Sequence, residues 1–182
     1  MPRLYLVRHG TASAGFGADR DPGLDQLGRA EAEAVADVLA PVGPLPVRVS
    51  PLRRCRETAA PLQQRWDTEP VIEPAIAEVA TPTDELDGRA EWLRRALGST
   101  WDRLEPGPQA WRQQMLDTVA AIDTDTVLIT HFVVINAVIG AATGDDRVLI
   151  ERLANGSVTT VDHGPGGFEL VTAGVVGTSE VL

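Results

Sequence analysis

The sequence predicts an α/β fold: a three-layer sandwich with a mainly parallel central sheet, helices on both faces, and a small helical insertion over one edge. Three observations carry this. Short apolar runs of strand length alternate with segments whose apolar residues recur at helical spacing. At 182 residues, 43% of them hydrophobic, the chain has the size of one domain with a proper core, read as residues 1–182. And three of the apolar runs end alike, in Arg8-His9, in Ser50 and in Thr130-His131.

Taken in order, Leu4 to Val7 reads as the first strand, followed by a Gly- and Asp-rich loop from Gly15 to Gly23. A helix from about Gln26 to Leu39 follows, with Asp25 as N-cap and Leu27, Ala30, Ala34, Val35 and Val38 on one face. Pro41, Gly43 and Pro44 close it. Val47 to Val49 is a short second strand. Ser50-Pro51 then reads as an N-cap with Pro at the first helical position, opening a helix that turns Leu52, Cys55, Ala59 and Leu62 inward. A third strand, Pro70 to Ile72, ends near Glu73-Pro74.

From about residue 80 to 110 the composition changes, with Trp92, Trp101 and several arginines crowded together. Two readings stand side by side: a helical insertion capping the sheet edge, or an ordinary amphipathic packing helix. Trp92, Trp101 and Trp111 likewise read either as pocket wall or as core. A helix from about Gln109 to Ile122 leads to a fourth strand, Thr126 to Thr130, and a helix from Phe132 to Ile139. Ser157 to Val161 and Phe168 to Thr172 form a β-hairpin, with His163 in its Gly-rich turn and no role assigned to it.

Composition excludes several classes of function. Sixteen basic residues against 26 acidic ones leave a net charge of −10, which argues against a nucleic-acid surface. No apolar run approaches a membrane span of roughly 18 residues. Arg3 and Arg8 interrupt the only early apolar run, so no signal peptide is expected and the chain reads as cytoplasmic. The single cysteine, Cys55, allows no internal disulfide. All 16 basic residues are arginine, which a GC-rich coding bias explains, yet the absence of lysine excludes a conventional P-loop. There is no G-x-S-x-G elbow and no zinc-ligand spacing, so neither a metal nor a cofactor is expected.

The strand ends carry the positive argument. In an open α/β sheet, ligands bind outside the carboxyl ends of the strands. Parallel strands put Arg8, His9, Ser50, the arginines that follow it, and His131 on one edge. Helix N-termini there add unpaired backbone N–H groups, and the natural guest is a phosphate.

At this point the sequence resembles a known family. Arg8-His9-Gly10 is similar to the RHG signature of the histidine phosphatase superfamily, which includes the cofactor-dependent phosphoglycerate mutases. SPLRRCRETA (Ser50 to Ala59) resembles its S-x-L-x-R-A-x-x-T-A motif, with Cys55 where Ala is usual. LITHFVVINAVIG (Leu128 to Gly140) resembles the second-histidine segment, and DPGLDQLGRAEAEAVA (Asp21 to Ala36) the region around the first helix.

The resemblance implies that His9 is the nucleophile, attacking phosphorus to form a phosphohistidine. Its other ring nitrogen then needs an acceptor, expected from a backbone carbonyl in the 10–20 loop. Arg8 and Arg54 would clamp the non-bridging oxygens, for which planar guanidinium forks are suited. His131 would donate to the phosphoryl group, and Thr58 would support the site. Arg53 and Arg56 read as solvated or salt-bridged. Glu78 is expected as the proton donor, with Glu73 second and Asp84 or Glu85 behind it. The family's Asn six residues after the nucleophile is here Gly15, so Ser13 or Thr11 is expected to supply the missing contact. The second histidine is followed by Phe132-Val133 instead of the common Gly-Gly.

The expected activity is therefore metal-independent hydrolysis of a phosphate monoester, acting on a small phosphorylated substrate or a phosphoprotein. Three alternatives remain open: a protein phosphohistidine phosphatase, a phosphoglycerate mutase-type phosphotransfer, and a non-catalytic phosphate-binding regulator. Oligomeric state is not legible.

Overall fold

In the computed structural model, which describes residues 1–15, 18–83 and 85–175, six strands form one sheet. The strands are β1 (Arg3–Arg8), β2 (Val47–Val49), β3 (Val71–Ile72), β4 (Thr126–Thr130), β5 (Val158–Gly164) and β6 (Gly167–Val175). The helices are α1 (Gln26–Leu39), α2 (Arg53–Trp66), α3 (Leu86–Leu97), α4 (Pro106–Ala120) and α5 (Phe132–Thr143). The sheet order is β3-β2-β4-β1-β5-β6. Its first four strands run parallel, and the β5–β6 hairpin closes the far side antiparallel to β1.

Strand alternation sorts the core into two layers. Leu4, Leu6 and Leu128 face one side, packed with Val134, Ile135 and Val138 of α5 and Met115 and Val119 of α4. Val7, Val127, Ile129, Val47 and Val49 face the other, against Val35 and Leu39 of α1 and Cys55, Ala59 and Leu62 of α2. The sheet is thus covered on both faces, as the alternating pattern predicts. Trp92 and Trp101 are buried in the first layer, with Trp111 packed on it and stacked 6.0 Å from Trp101, so the tryptophans are core. Among the described residues no helix is long and apolar enough to cross a membrane.

Register places the strand ends together. Arg8 lies opposite Thr130, Val49 opposite Ile129, the His9 amide donates to the Thr130 carbonyl (3.0 Å), and the Ser50 amide to that of Ile129 (3.0 Å).

Several local expectations are corrected. The inward face of α1 is Gly28, Ala32, Val35, Ala36 and Leu39, while Leu27, Ala30 and Val38 face solvent. The cause is a backbone contact: Gly28 lies against Thr11, and a Cβ there would stand 2.1 Å from the Thr11 carbonyl oxygen. Gly10 makes the reciprocal contact, where a Cβ would come within 2.5 Å of the Gly28 oxygen. Asp25 does cap α1, accepting from the Gly28 amide at 2.7 Å. Ser50, by contrast, is not the cap of α2, because Leu52 is still extended and the helix begins only at Arg53. Leu52 is half-buried ahead of the helix, not on its inner face. His163 is in β5, not in the turn: it pairs with Phe168, leaving Pro165 and Gly166 to make the reversal.

The Gly10–Gly28 contact gives a stability prediction. Gly28→Ala gains roughly 1 kcal/mol of helix propensity and loses about 2–3 kcal/mol to overpacking, so thermal unfolding should show a Tm lower by several degrees. An unchanged or raised Tm would show that α1 does not rest on the Thr11 backbone.

Candidate active site

The Leu4–Val7 strand can end in a guanidinium and an imidazole because both turn into a cavity of about 550 Å³ at the carboxyl edge of the sheet. Arg8, His9, Arg54 and Glu78 all line it, from three separate stretches of chain.

His9 is fixed at both ring nitrogens. Its Nδ1 lies 2.7 Å from the carbonyl oxygen of Gly10, which can only accept, so Nδ1 carries the proton. Nε2 is left with its lone pair and accepts from Arg54 Nε at 3.1 Å. Burial, with Arg54 and then Arg8 nearby, pushes the His9 pKa down to about 3 against the pull of the Gly10 bond, so the ring is neutral. Asn155 Nδ2 holds the His9 carbonyl from outside at 3.0 Å.

Arg54 occupies the centre. On α2 it is 6% exposed, and its Nη2 donates to His131 Nδ1 at 3.2 Å. One guanidinium therefore bridges both imidazoles, whose centroids are 5.2 Å apart. His131, at the N-cap of α5, is fully buried and stands behind Arg54, off the cavity wall. Burial, then Arg54, depress its pKa far below that of a free histidine. Its Nε2 contacts Ser50 Oγ at 2.7 Å, and that oxygen takes the Leu52 amide at 3.3 Å. Ser50, expected as a helix cap, is thus the partner of His131. Cys55 Sγ lies 3.4 Å from the same Nε2, and burial drives its thiol pKa up, which makes it a neutral wall.

Thr58 ties the two motifs together. Its Oγ1 accepts from the Gly10 amide (3.0 Å) and donates to the Arg54 carbonyl one turn back (2.7 Å). Arg8 donates through Nη1 to the Leu153 carbonyl, and its guanidinium carbon lies 5.0 Å from the centroid of the Phe132 ring. The Phe that replaces the usual Gly is thus accommodated as a cation–π partner. Arg8 Nε is buried with no protein partner among the described residues.

Of the carboxylates, Glu78 faces the cavity, its Oε2 at 3.9 Å from His131 Nδ1 and its Oε1 taking the Val79 amide at 3.1 Å. Burial raises its pKa above the usual glutamate value. The segment is pinned by Thr130 Oγ1, which donates to the Ile76 carbonyl at 2.6 Å. Glu73 is occupied elsewhere, paired with Arg48 at 3.1 Å and capping the turn that begins at Pro74. Glu85 is exposed at the start of α3, and Asp84 lies outside the described residues. Ser13 is also exposed and off the cavity wall; Thr11, Ala12 and Ala14 take that side, with Thr11 held by Glu31 of α1. Arg53 is paired with Glu57, and Arg56 is exposed. Leu93 and Leu97 of α3 complete the wall.

Sequence reasoning missed Asn155, Asn136 and the role of Ser50. Asn136 on α5 is fully buried: its side chain accepts from the Ile150 and Glu151 amides (2.8 Å each) and donates to the Phe132 and Glu151 carbonyls. It holds the loop that presents Leu153 and Asn155. A single amide, whether in a loop like Asn155 or within the apolar helix α5 like Asn136, leaves no periodic signal.

Comparison with known proteins bears on the family and the fold. The profile of the histidine phosphatase superfamily (branch 1) matches residues 4–175. A 127-residue stretch is 36% identical to an uncharacterized protein of Mycobacterium tuberculosis, covering 67% of this chain and 63% of that one. Another, of 96 residues, is 37% identical to the 8-oxo-(d)GTP phosphatase of Mycolicibacterium smegmatis, covering 51% of this chain and 30% of that protein. The chain thus spans less than two thirds of the length of these curated relatives. Among solved structures, Mycobacterial hydrolase 1 superposes with a TM-score of 0.75 at 22% identity, over 97% of this chain and 100% of that one. A mycobacterial glucosyl-3-phosphoglycerate phosphatase in complex with VO3 gives 0.71 at 23% identity, over 96% and 100%. At such identities these two structures establish the fold.

The Thr58 bridge is testable. Thr58→Val keeps the shape but leaves the buried Gly10 amide unpaired, a loss of about 1–3 kcal/mol. Urea unfolding should show a lower midpoint at unchanged slope, and an unmoved midpoint would remove Thr58 from the framework.

Proposed function

The chain belongs to branch 1 of the histidine phosphatase superfamily, and on that premise we propose that it hydrolyses phosphate monoesters through a phosphohistidine formed on His9, without a metal ion. The observation that carries the reading is the state of His9. Its Nδ1–H is spent on the Gly10 carbonyl, and its Nε2 lone pair is held beside Arg54 at the cavity wall.

An arriving phosphate dianion competes for the donors of Arg54. Charge-assisted bonds to phosphate oxygens are stronger than bonds to neutral imidazole nitrogens. Arg54 turns its N–H groups onto the anion, and the Nε2 lone pair of His9 is released. Arg8, with a buried Nε lacking a protein acceptor among the described residues, is the second clamp. His9 Nε2 attacks phosphorus as the bond to the leaving oxygen breaks, and protonated Glu78 gives its proton to that oxygen. In the second step the Glu78 carboxylate takes a proton from water. The water oxygen attacks phosphorus, the P–N bond breaks, and its electron pair returns to Nε2.

His131 has a place in this sequence that needs Ser50. While Arg54 donates to Nδ1, the imidazole proton sits on Nε2 and goes to Ser50 Oγ. Once Arg54 turns away, Nδ1 can donate to a phosphoryl oxygen only if the proton changes nitrogen. A hydroxyl both accepts and donates, so Ser50 satisfies Nε2 in either state.

The wall made by Leu93 and Leu97 of α3 supports a small-molecule substrate over a folded phosphoprotein. We read the 80–110 segment accordingly, as an insertion over the active-site edge.

The test is a panel of alkyl and aryl phosphates, phosphohistidine and 3-phosphoglycerate assayed with chelator present. Wild type should hydrolyse monoesters, and His9→Ala should lose at least a thousandfold in kcat; an active His9→Ala enzyme would overturn the reading. For alkyl phosphates, kcat/KM should fall as pH rises through the raised Glu78 pKa, because the acid must be protonated to donate. The nucleophile, with its pKa near 3, imposes no such limit above about pH 4. Glu78→Gln should lose that limb and about 10²–10⁴-fold in rate on alkyl phosphates, with a far smaller loss on aryl phosphates, whose leaving groups need no acid. Equal losses on both would remove Glu78 from the role.

A further inference from the structure

Resting on the phosphatase reading of His9, we propose that the cavity contains a second anion subsite at Arg152. Its substrate is then a small phosphomonoester whose organic part is apolar beside the phosphate and carries a second acidic group. The cavity is much larger than a phosphate and lies in the size range of small-molecule sites. Leu93 and Leu97 of α3 and Leu153 give part of its wall an aliphatic surface.

Arg152 lines the same cavity and makes no hydrogen bond or ion pair among the described residues. Arg3, Arg48, Arg53, Arg65 and Arg147, by contrast, are each paired with a carboxylate. Arg20, on the same wall, is already engaged. Arg152 also stands on a backbone fixed from both sides. The Ile150 and Glu151 amides are held by buried Asn136, and the Leu153 carbonyl by Arg8. A guanidinium on an anchored stem suits recognition of a carboxylate or second phosphate, since little backbone freedom is lost on binding. Four arginines line the cavity, Arg8, Arg20, Arg54 and Arg152, against two carboxyl groups, Asp19 and Glu78. In a chain of net charge −10 this is a local reversal of sign.

The experiment uses one matched pair of substrates, an ω-carboxyalkyl phosphate and its methyl ester. Their kcat/KM ratio is measured for wild type, Arg152→Gln and Leu93→Ser. Wild type should favour the free acid about fivefold, as expected for a rim ion pair of about 1 kcal/mol. In Arg152→Gln the ratio should fall to about one. In Leu93→Ser both rates should drop while the preference for the acid persists. A wild-type ratio near one, or a preference that survives Arg152→Gln, overturns the subsite. The corresponding pair of phosphonates, titrated calorimetrically, reads the same preference as a ratio of Kd values without turnover. If wild type binds the acid phosphonate selectively but hydrolyses neither ester, the subsite stands and the phosphatase reading falls.

Discussion

The constraint on which this site depends is a buried cation without a carboxylate. Among the described residues, Arg54 has no acidic side chain within salt-bridge distance, and its donors go to two neutral imidazoles. An isolated buried charge is costly, and on the proposed reading the substrate phosphate is the partner this guanidinium lacks. Burial, reinforced by the same charge, keeps His9 and His131 unprotonated. The charge also lowers the cost of an ionised Glu78, which burial alone would keep protonated. Burial thus sets the direction of all three shifts, and the one guanidinium adds to it at His9 and His131 and opposes it at Glu78.

Everything else in the fold serves to hold that guanidinium against those rings. Parallel β1, β2 and β4 bring Arg8, Ser50 and Thr130 to one edge, because their register is fixed by two-sided packing. Two glycines let the loop after β1 and the start of α1 meet backbone to backbone, and Thr58 closes the link to α2. These contacts are short in space and long in sequence: the Gly10–Thr58 bond spans 48 residues and the Asn155–His9 bond 146. Such a site is preorganised by the folded state as a whole, which suits a reaction in which positioning and charge neutralisation do most of the chemistry.

The sheet, its helices and the meeting of His9, Arg54 and His131 were legible in the sequence, because strand ends and helix starts obey local rules. Other features obey no local rule. The inner face of α1 was misread because hydrophobic periodicity pointed to Leu27 and Val38, whereas a bare glycine contact at Gly28 sets the rotation. Ser50 was misread because Ser-Pro is a common helix start; here the chain stays extended through Leu52, which frees the hydroxyl for His131. The choice between Glu78 and Glu73 could not be made from spacing, since the segment after β3 is a short tight turn that aims one at the cavity and the other at Arg48. His131 was placed correctly at the strand end but stands behind Arg54 rather than on the cavity surface.

The central claim is that Nε2 of residue 9 is the atom that takes the phosphoryl group. Rapid acid-free quenching of enzyme labelled with ¹⁵N-histidine, followed by ³¹P–¹⁵N correlation NMR, tests it directly. The account predicts one transient adduct, on Nε2 of His9, with Nδ1 still protonated. A phosphoryl group on Nδ1, on His131 or on no histidine at all would contradict it.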